Sequence, residues 1–215
     1  MPLEDIRRLL MEKSGWFANI EQERDPKFGP IAGAPIGTKW ASRQDLQRSG
    51  VHTANFAGIS GSASEGAYSI VVSGGYVDDV DNGDTLVYTG TGMGCPCYMR
   101  GGGKQVKDQS FNHKDNRALQ RSCETGRPVR VIRGSNLPSI YAPESGKVCL
   151  DSMCISYISN FLTRYRYDGL YKVDRAYEEK GRHGFKVCRY HLSRLPNQPA
   201  LPVRSHLPST SRRGI

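Results

Sequence analysis

Glycine and proline interrupt this chain too often for any long helical architecture. The 215 residues include 24 glycines and 12 prolines, about one residue in six, and both types fit badly into a helix interior. A helical bundle or a coiled coil is excluded, and short strands joined by many turns are favoured. The chain is polar, with 37% apolar residues, yet long enough to bury a core as one generous domain. It has no run of about 18 apolar residues, so no membrane-spanning helix is expected. The opening MPLEDIRRLLMEK puts charges where a secretion signal needs its apolar stretch, and an intracellular protein is expected.

Charge narrows the partner. The formal net charge is +9, which suits a polyanion, most often nucleic acid. Residues 98–133 hold nine Lys and Arg against three acids, and residues 164–194 hold nine against four. Asp78, Asp79, Asp81 and Asp84 form a compact acidic turn inside this basic chain, where they would repel a phosphate backbone. Asp81 and Asp84 read as turn formers. The six cysteines lack the paired spacing of a structural zinc site, so free, reduced thiols are expected, with no metal and no cofactor.

Apolar spacing predicts a helical arm over residues 1–24, then a domain over 25–195. Phe28–Trp40 is an extended, turn-rich entry; Ser42 caps a short helix that stops at Gly50. Strands follow in FAGIS, AYSIVVSGGY and DTLVYTG, with Tyr68 as strand core. A glycine-rich loop covers 92–103, and KDNRALQRSCETG reads as a helix capped by Asp115 and ended by Gly126. PVRVIRG is a strand, and two more flank a turn at Lys180–Gly184. The Pro- and Ser-rich segment 196–215 reads as a disordered basic tail.

The chemistry concentrates in SGGYVDDVDNG (Ser73–Gly83) and VYTGTG (Val87–Gly92). Tyr76 and Tyr88 lie at the ends of what read as neighbouring apolar strands, with Asp79 and glycines 74, 75 and 90 between them. Glycines let a flat ligand approach the backbone. Two aromatic faces can sandwich a base, and a carboxylate can accept from the exocyclic amine of cytosine. Taken alone, the same residues also fit ordinary β-turns.

The order of the whole set is more specific. FGPIAGAPIGTKW, SGVH (Ser49–His52), GGYVDDVDNGD, VYTGTG, NRAL, PVRVIRG, YAP and YDGLYKV run collinearly over roughly Phe28–Leu195. In this the chain resembles the SRA domain, named for its association with SET and RING proteins and also called the YDG domain. The resemblance implies an α+β fold, a PUA-like twisted β-barrel with flanking helices. It further implies non-enzymatic recognition of 5-methylcytosine in double-stranded DNA by flipping the base into a pocket. By that likeness Tyr76 and Tyr88 stack on the base, and Asp79 meets its Watson–Crick edge. Thr89 helps hold the base, Thr91 borders the methyl group, and Ser73 and Gly75 approach through their backbone. Phe56 takes the thumb position that fills the gap in the stack.

Arg117, Arg121, Arg127, Arg130 and Arg133 alternate with apolar residues, as phosphate contacts on a curved sheet would. Readers of hemimethylated DNA in the family carry an Asn-Lys-Arg finger. Met93–Gln109 has no such tripeptide; Arg100, Lys104 and Gln105 are its only candidates there. Val148–Thr163 interrupts the collinear match with ten apolar residues in sixteen. It reads either as a genuine insertion buried against the barrel or as a short intron translated in frame. No RING, SET or nuclease module fits in the remaining residues, so the expectation is a nuclear chromatin reader of methylated DNA. The competing readings are a chromatin protein-interaction module of the same fold with an idle pocket, and a reader of modified RNA.

Overall fold

The computed structural model describes residues 27–92, 105–144 and 164–204. The N-terminal arm, Arg100, Lys104, the 148–163 segment and the end of the tail lie outside the described residues. The elements run β1 (Lys39–Trp40), α1 (Arg43–Arg48), β2 (Ile59–Ser62), β3 (Gly66–Val72), β4 (Val80–Asp81), β5 (Thr85–Thr89), α2 (Lys114–Thr125), β6 (Val129–Gly134), β7 (Tyr165–Lys180) and β8 (Lys186–Arg194). The fold is α+β, as expected.

The strands form one mixed sheet in the order β2-β3-β6-β7-β8-β5-β4, with β1 pairing separately on β7. The β3–β6 pair is parallel and the remaining pairs are antiparallel. In a flat sheet β3 and β5 would stand four spacings apart, roughly 19 Å. Yet a Cβ built on Gly58 would lie 2.5 Å from the Tyr88 hydroxyl of β5 and 3.6 Å from the Val71 carbonyl oxygen of β3. The sheet therefore rolls round until its two ends approach. Tyr76 and Tyr88 do not come from neighbouring strands, contrary to expectation. They meet because the sheet curls.

Alternation along the strands divides the core. Ile70 and Val72 of β3 join Val131, Leu86, Tyr171 and Tyr190 in one cluster, while Val71 joins Ile132, Trp40, Leu46 and Tyr167 in another. Helix α2 packs its Ala118 and Leu119 into the first. Ser122 of that helix donates and accepts at the Ala67 backbone, and a Cβ on Gly66 would sit 2.8 Å from its Oγ. β3 begins with glycine so that the helix can come this close.

The helix ends follow local chemistry. Ser42 caps α1, its hydroxyl accepting from the Asp45 amide at 3.1 Å. Gly126 ends α2 in the left-handed conformation, at φ 70. The N-cap of α2 is His113, not Asp115: the His113 ring accepts from the Asp115 amide, which puts Asp115 in the first turn facing the positive helix end. Residues 196–204 also depart from expectation, because they pack on the body. Gln198 accepts from Leu170 N at 2.7 Å and donates to Leu170 O at 2.8 Å, completing backbone bonds as a strand would. Arg204 is buried and donates to the carbonyls of Ala142 and Ser135.

Candidate base-binding site

A cavity of about 250 Å³ opens where the segment before β2, the end of β3, the β3–β4 loop and β5 converge. Ser73, Gly75, Tyr76, Asp79, Tyr88 and Phe56 all line it. Its size falls just below the range of about 300–1,000 Å³ for drug-sized ligands, and suits a single ring system. Tyr88 is buried on β5, while Phe56 stands 79% exposed beside the cavity. A phenyl ring left this exposed forgoes roughly 1.5–3 kcal/mol of burial. Its position suits a wedge entering a base stack.

Asp79 is held from behind. Its Oδ1 accepts from the Thr89 amide at 2.8 Å, and the Thr89 hydroxyl also bonds to the carboxyl. That hydroxyl accepts from Arg189 Nη1 at 2.8 Å, and Arg189 also donates to the Asp78 carbonyl. Burial pushes the Asp79 carboxyl up to about 7, outweighing the Thr89 hydrogen bonds and the Arg189 charge that pull it down. A carboxyl poised near neutrality can accept from one group and, when protonated, donate to another.

The two threonines do not stand where the resemblance placed them. Thr89 is fully buried and lies outside the cavity lining; its amide is already committed to Asp79, so it acts through that carboxyl. Thr91 also lies outside the lining. Its N–H donates to Asn116 Oδ1 at 2.7 Å and its carbonyl accepts from Asn116 Nδ2 at 2.9 Å. The Tyr76 hydroxyl accepts from the Gly92 amide at 3.2 Å and ties the same strand exit to the pocket loop. Of the three glycines expected to admit a flat ligand, only Gly75 lines the cavity. Gly74 makes room for Asn136 O, and Gly90 for the Asn116 carboxamide.

The basic residues need more correction. Arg133 is fully buried, paired with Asp81 Oδ1 at 2.7 Å and Asp168 Oδ2 at 3.0 Å, and it also donates to Gly83 O. Arg130 is 2% exposed and donates to the carbonyls of Val51 and Gly29. β6 is a central strand buried along its whole length, so neither guanidinium reaches a phosphate. Arg121 and Arg127 are exposed, but they donate to the carbonyls of Ser64 and Glu65, just before β3 begins, whereas the cavity lies beyond its other end. Seven residues of strand, roughly 23 Å, separate the two. Arg117 is exposed on α2, next to Asn116. Gln105, a finger candidate, is buried and spends its amide on the carbonyls of Lys107 and Lys186. Asp81 is more than a turn former. Burial alone would raise its carboxyl, but the hydrogen bonds and charge of Arg133 hold it low.

Five pocket residues were missed: Arg43, Asn55, Gly58, Val71 and Tyr165. Gly58 stands only two residues after Phe56, a nearness that could have pointed to it. Arg43 is the first residue of α1 and Tyr165 the first of β7, and neither carries a local signal. Among the described residues, no group of three or more His, Cys, Asp or Glu is placed to hold a metal, and no helix is long and apolar enough to cross a membrane.

Comparison with known proteins points the same way. The SAD/SRA domain family matches residues 27–198. A UHRF1-like protein of Cryptococcus neoformans is 40% identical over 209 residues, covering 94% of this chain and 54% of the relative. The E3 ubiquitin-protein ligase UHRF1 of Xenopus laevis is 40% identical over 193 residues, covering 80% of this chain and 22% of the ligase. The chain thus spans about half the length of the first relative and less of the second. The SUVH5 SRA domain bound to fully hydroxymethylated CG DNA superposes with a TM-score of 0.61 at 34% identity, covering 81% of this chain and 98% of that one.

Proposed function

Because the chain belongs to the SAD/SRA domain family, we propose that it binds methylated double-stranded DNA by turning 5-methylcytosine out of the helix into the Tyr76–Asp79–Tyr88 cavity. The observation that carries this reading is Asp79 on the cavity wall beside both tyrosines, with Phe56 exposed next to them. Tyr76 and Tyr88 stack on the flipped base, Asp79 meets its N4 and N3 atoms, and Ser73 and Gly75 approach its edge. Phe56 fills the space the base leaves, which offsets part of the few kcal/mol lost in unstacking.

The activity is binding without catalysis. The ligase named for the Xenopus relative belongs to a protein of which this chain matches 22%. The site of action is chromatin in the nucleus. Of the five arginines read as phosphate contacts, Arg117 is the one that keeps the role, since it is exposed and adjoins the Asn116–Thr91 junction. Met93–Gln109 carries no Asn-Lys-Arg finger, so hemimethylated and fully methylated sites are bound alike.

Replacing Asp79 by Ala removes a base contact and no phosphate contact. Asp79→Ala is expected to lose about 1–3 kcal/mol of preference for methylated over unmodified duplex and to keep the salt-dependent background. An unchanged preference would refute the pocket assignment and favour a fold kept for protein contacts.

A further inference from the structure

The SGVH segment (Ser49–His52) and Arg43, the cavity-lining residue that opens α1, lie against the segment that carries the wedge. Phe56 sits in a segment without regular structure between α1 and β2. Its ring is 79% exposed beside a cavity walled in part by Tyr76, Tyr88 and Tyr165. A phenyl on an unsupported loop would fall onto the nearest apolar surface, which here is the tyrosine wall of the cavity. Something must hold it out.

Arg43 provides that support. Its Nε donates to the Asn55 carbonyl at 3.2 Å, and its Nη2 donates to the Ala57 carbonyl. One guanidinium thus takes up the carbonyls on both sides of Phe56, using the fixed fork that a lysine lacks. The fork is itself fixed. Nη2 lies 3.0 Å from His52 Nε2, the guanidinium lies 5.8 Å from the Tyr165 ring centroid, and His52 Nδ1 lies 2.9 Å from Ser69 Oγ on β3. His52 is 1% exposed, and burial together with the Arg43 charge lowers its pKa to about 3, so the ring is neutral and does not repel Arg43. Beyond the wedge, Gly58 O accepts from Val71 N at 2.8 Å, which anchors the segment to the strand that leads into the cavity wall.

We propose that Arg43, seated on His52, is a positioning residue for base flipping: it locks Asn55–Ala57 so that the Phe56 ring projects beside an open cavity. The proposal rests on the methylcytosine reading given above. It separates two costs, holding the base and opening the duplex, and assigns Arg43 to the second.

Two duplexes distinguish these costs, one with 5-methylcytosine opposite guanine and one with it opposite an abasic site, where the base is already unpaired. Arg43→Met is expected to weaken binding of the paired duplex at least tenfold and of the abasic duplex less than threefold, with Phe56→Ala giving the same pattern. In the double variant the losses do not add, because Arg43 acts through the wedge. Arg43→Lys, which keeps the charge without the fork, is expected to lose at least threefold on the paired duplex alone, and carries the test if Arg43→Met does not fold. Equal losses on both duplexes, or additive losses in the double variant, would overturn the role of Arg43. Wild-type protein that binds methylated and unmodified duplexes equally would overturn the methylcytosine reading, and this proposal with it.

Discussion

The Asp79 carboxyl, pushed to about 7 by burial, is close to half protonated at neutral pH in the free protein. Cytosine presents a donor at N4 beside an acceptor at N3. An ionised carboxylate can satisfy only the first, whereas a protonated one satisfies both. Affinity for methylated duplex is therefore expected to fall as pH rises through about 7, by up to tenfold per unit for a one-proton uptake. Asp79→Asn keeps one acceptor and gains a permanent donor, so it is expected to retain methyl preference and lose this pH dependence. Anisotropy titrations between pH 6 and 8.5 decide the point, and a flat wild-type profile would contradict it. Stability carries the same signature. The folded pKa lies above the ordinary 3.8, so the native state binds the extra proton between about 4 and 7, and stability falls as pH rises across that window. Asp79→Asn should melt higher than wild type at pH 8 and equal to it at pH 4. Tyr76, Asp79 and Tyr88 were legible as cavity residues because they lie in their own short motifs, and Phe56 was legible through the family resemblance. The Thr89 contact with Asp79 was not, because it depends on how a loop folds back on β5.

At the scale of elements, β6 shows what alternation conceals. Arg130 and Arg133 among Val129, Val131 and Ile132 read as phosphate contacts on a curved sheet. The strand is central, and what matters is its partners, not its own pattern. Asp81 lies 52 residues upstream of Arg133 and Asp168 lies 35 residues downstream. No local window contains that set. The array ties the pocket loop to the middle of the sheet, since Asp81 follows Asp79 by two positions and Arg133 also grips Gly83 O. Removing one member of a buried ionic set strands the others. Arg133→Met is expected to cost about 3–5 kcal/mol of stability in chemical denaturation, whereas Arg127→Ala, at an exposed site, should cost within about 1 kcal/mol. Comparable losses would mean that Arg133 is not the centre of a buried array. The elements read correctly, α1 and the β7–β8 pair among them, carry their own caps and turns, such as Ser42 and the Gly184 turn at φ 84.

For the molecule as a whole, composition gave the class, and the order of motifs gave the family. Neither revealed that a sheet with β3 and β5 four places apart closes into one cavity. Nor did composition place the domain's end. The Pro-rich stretch after Leu195 looked unable to pack, yet it borrows backbone partners through Gln198 rather than burying apolar surface of its own. Gln198→Ala is expected to lower stability by about 1–3 kcal/mol, the cost of leaving the Leu170 amide without its acceptor, while the Leu170 carbonyl keeps the Leu195 amide. A disordered residue would change nothing. The central claim is that this curled sheet reads a flipped methylcytosine, with affinity coming from phosphate contacts and preference from the cavity. The direct measurement is a titration of unmodified, hemimethylated and fully methylated duplexes of one sequence across a series of salt concentrations. The expected result is parallel salt slopes for all three, with both methylated duplexes bound more tightly than the unmodified one and within tenfold of each other. Equal affinities for all three at every salt concentration would contradict it.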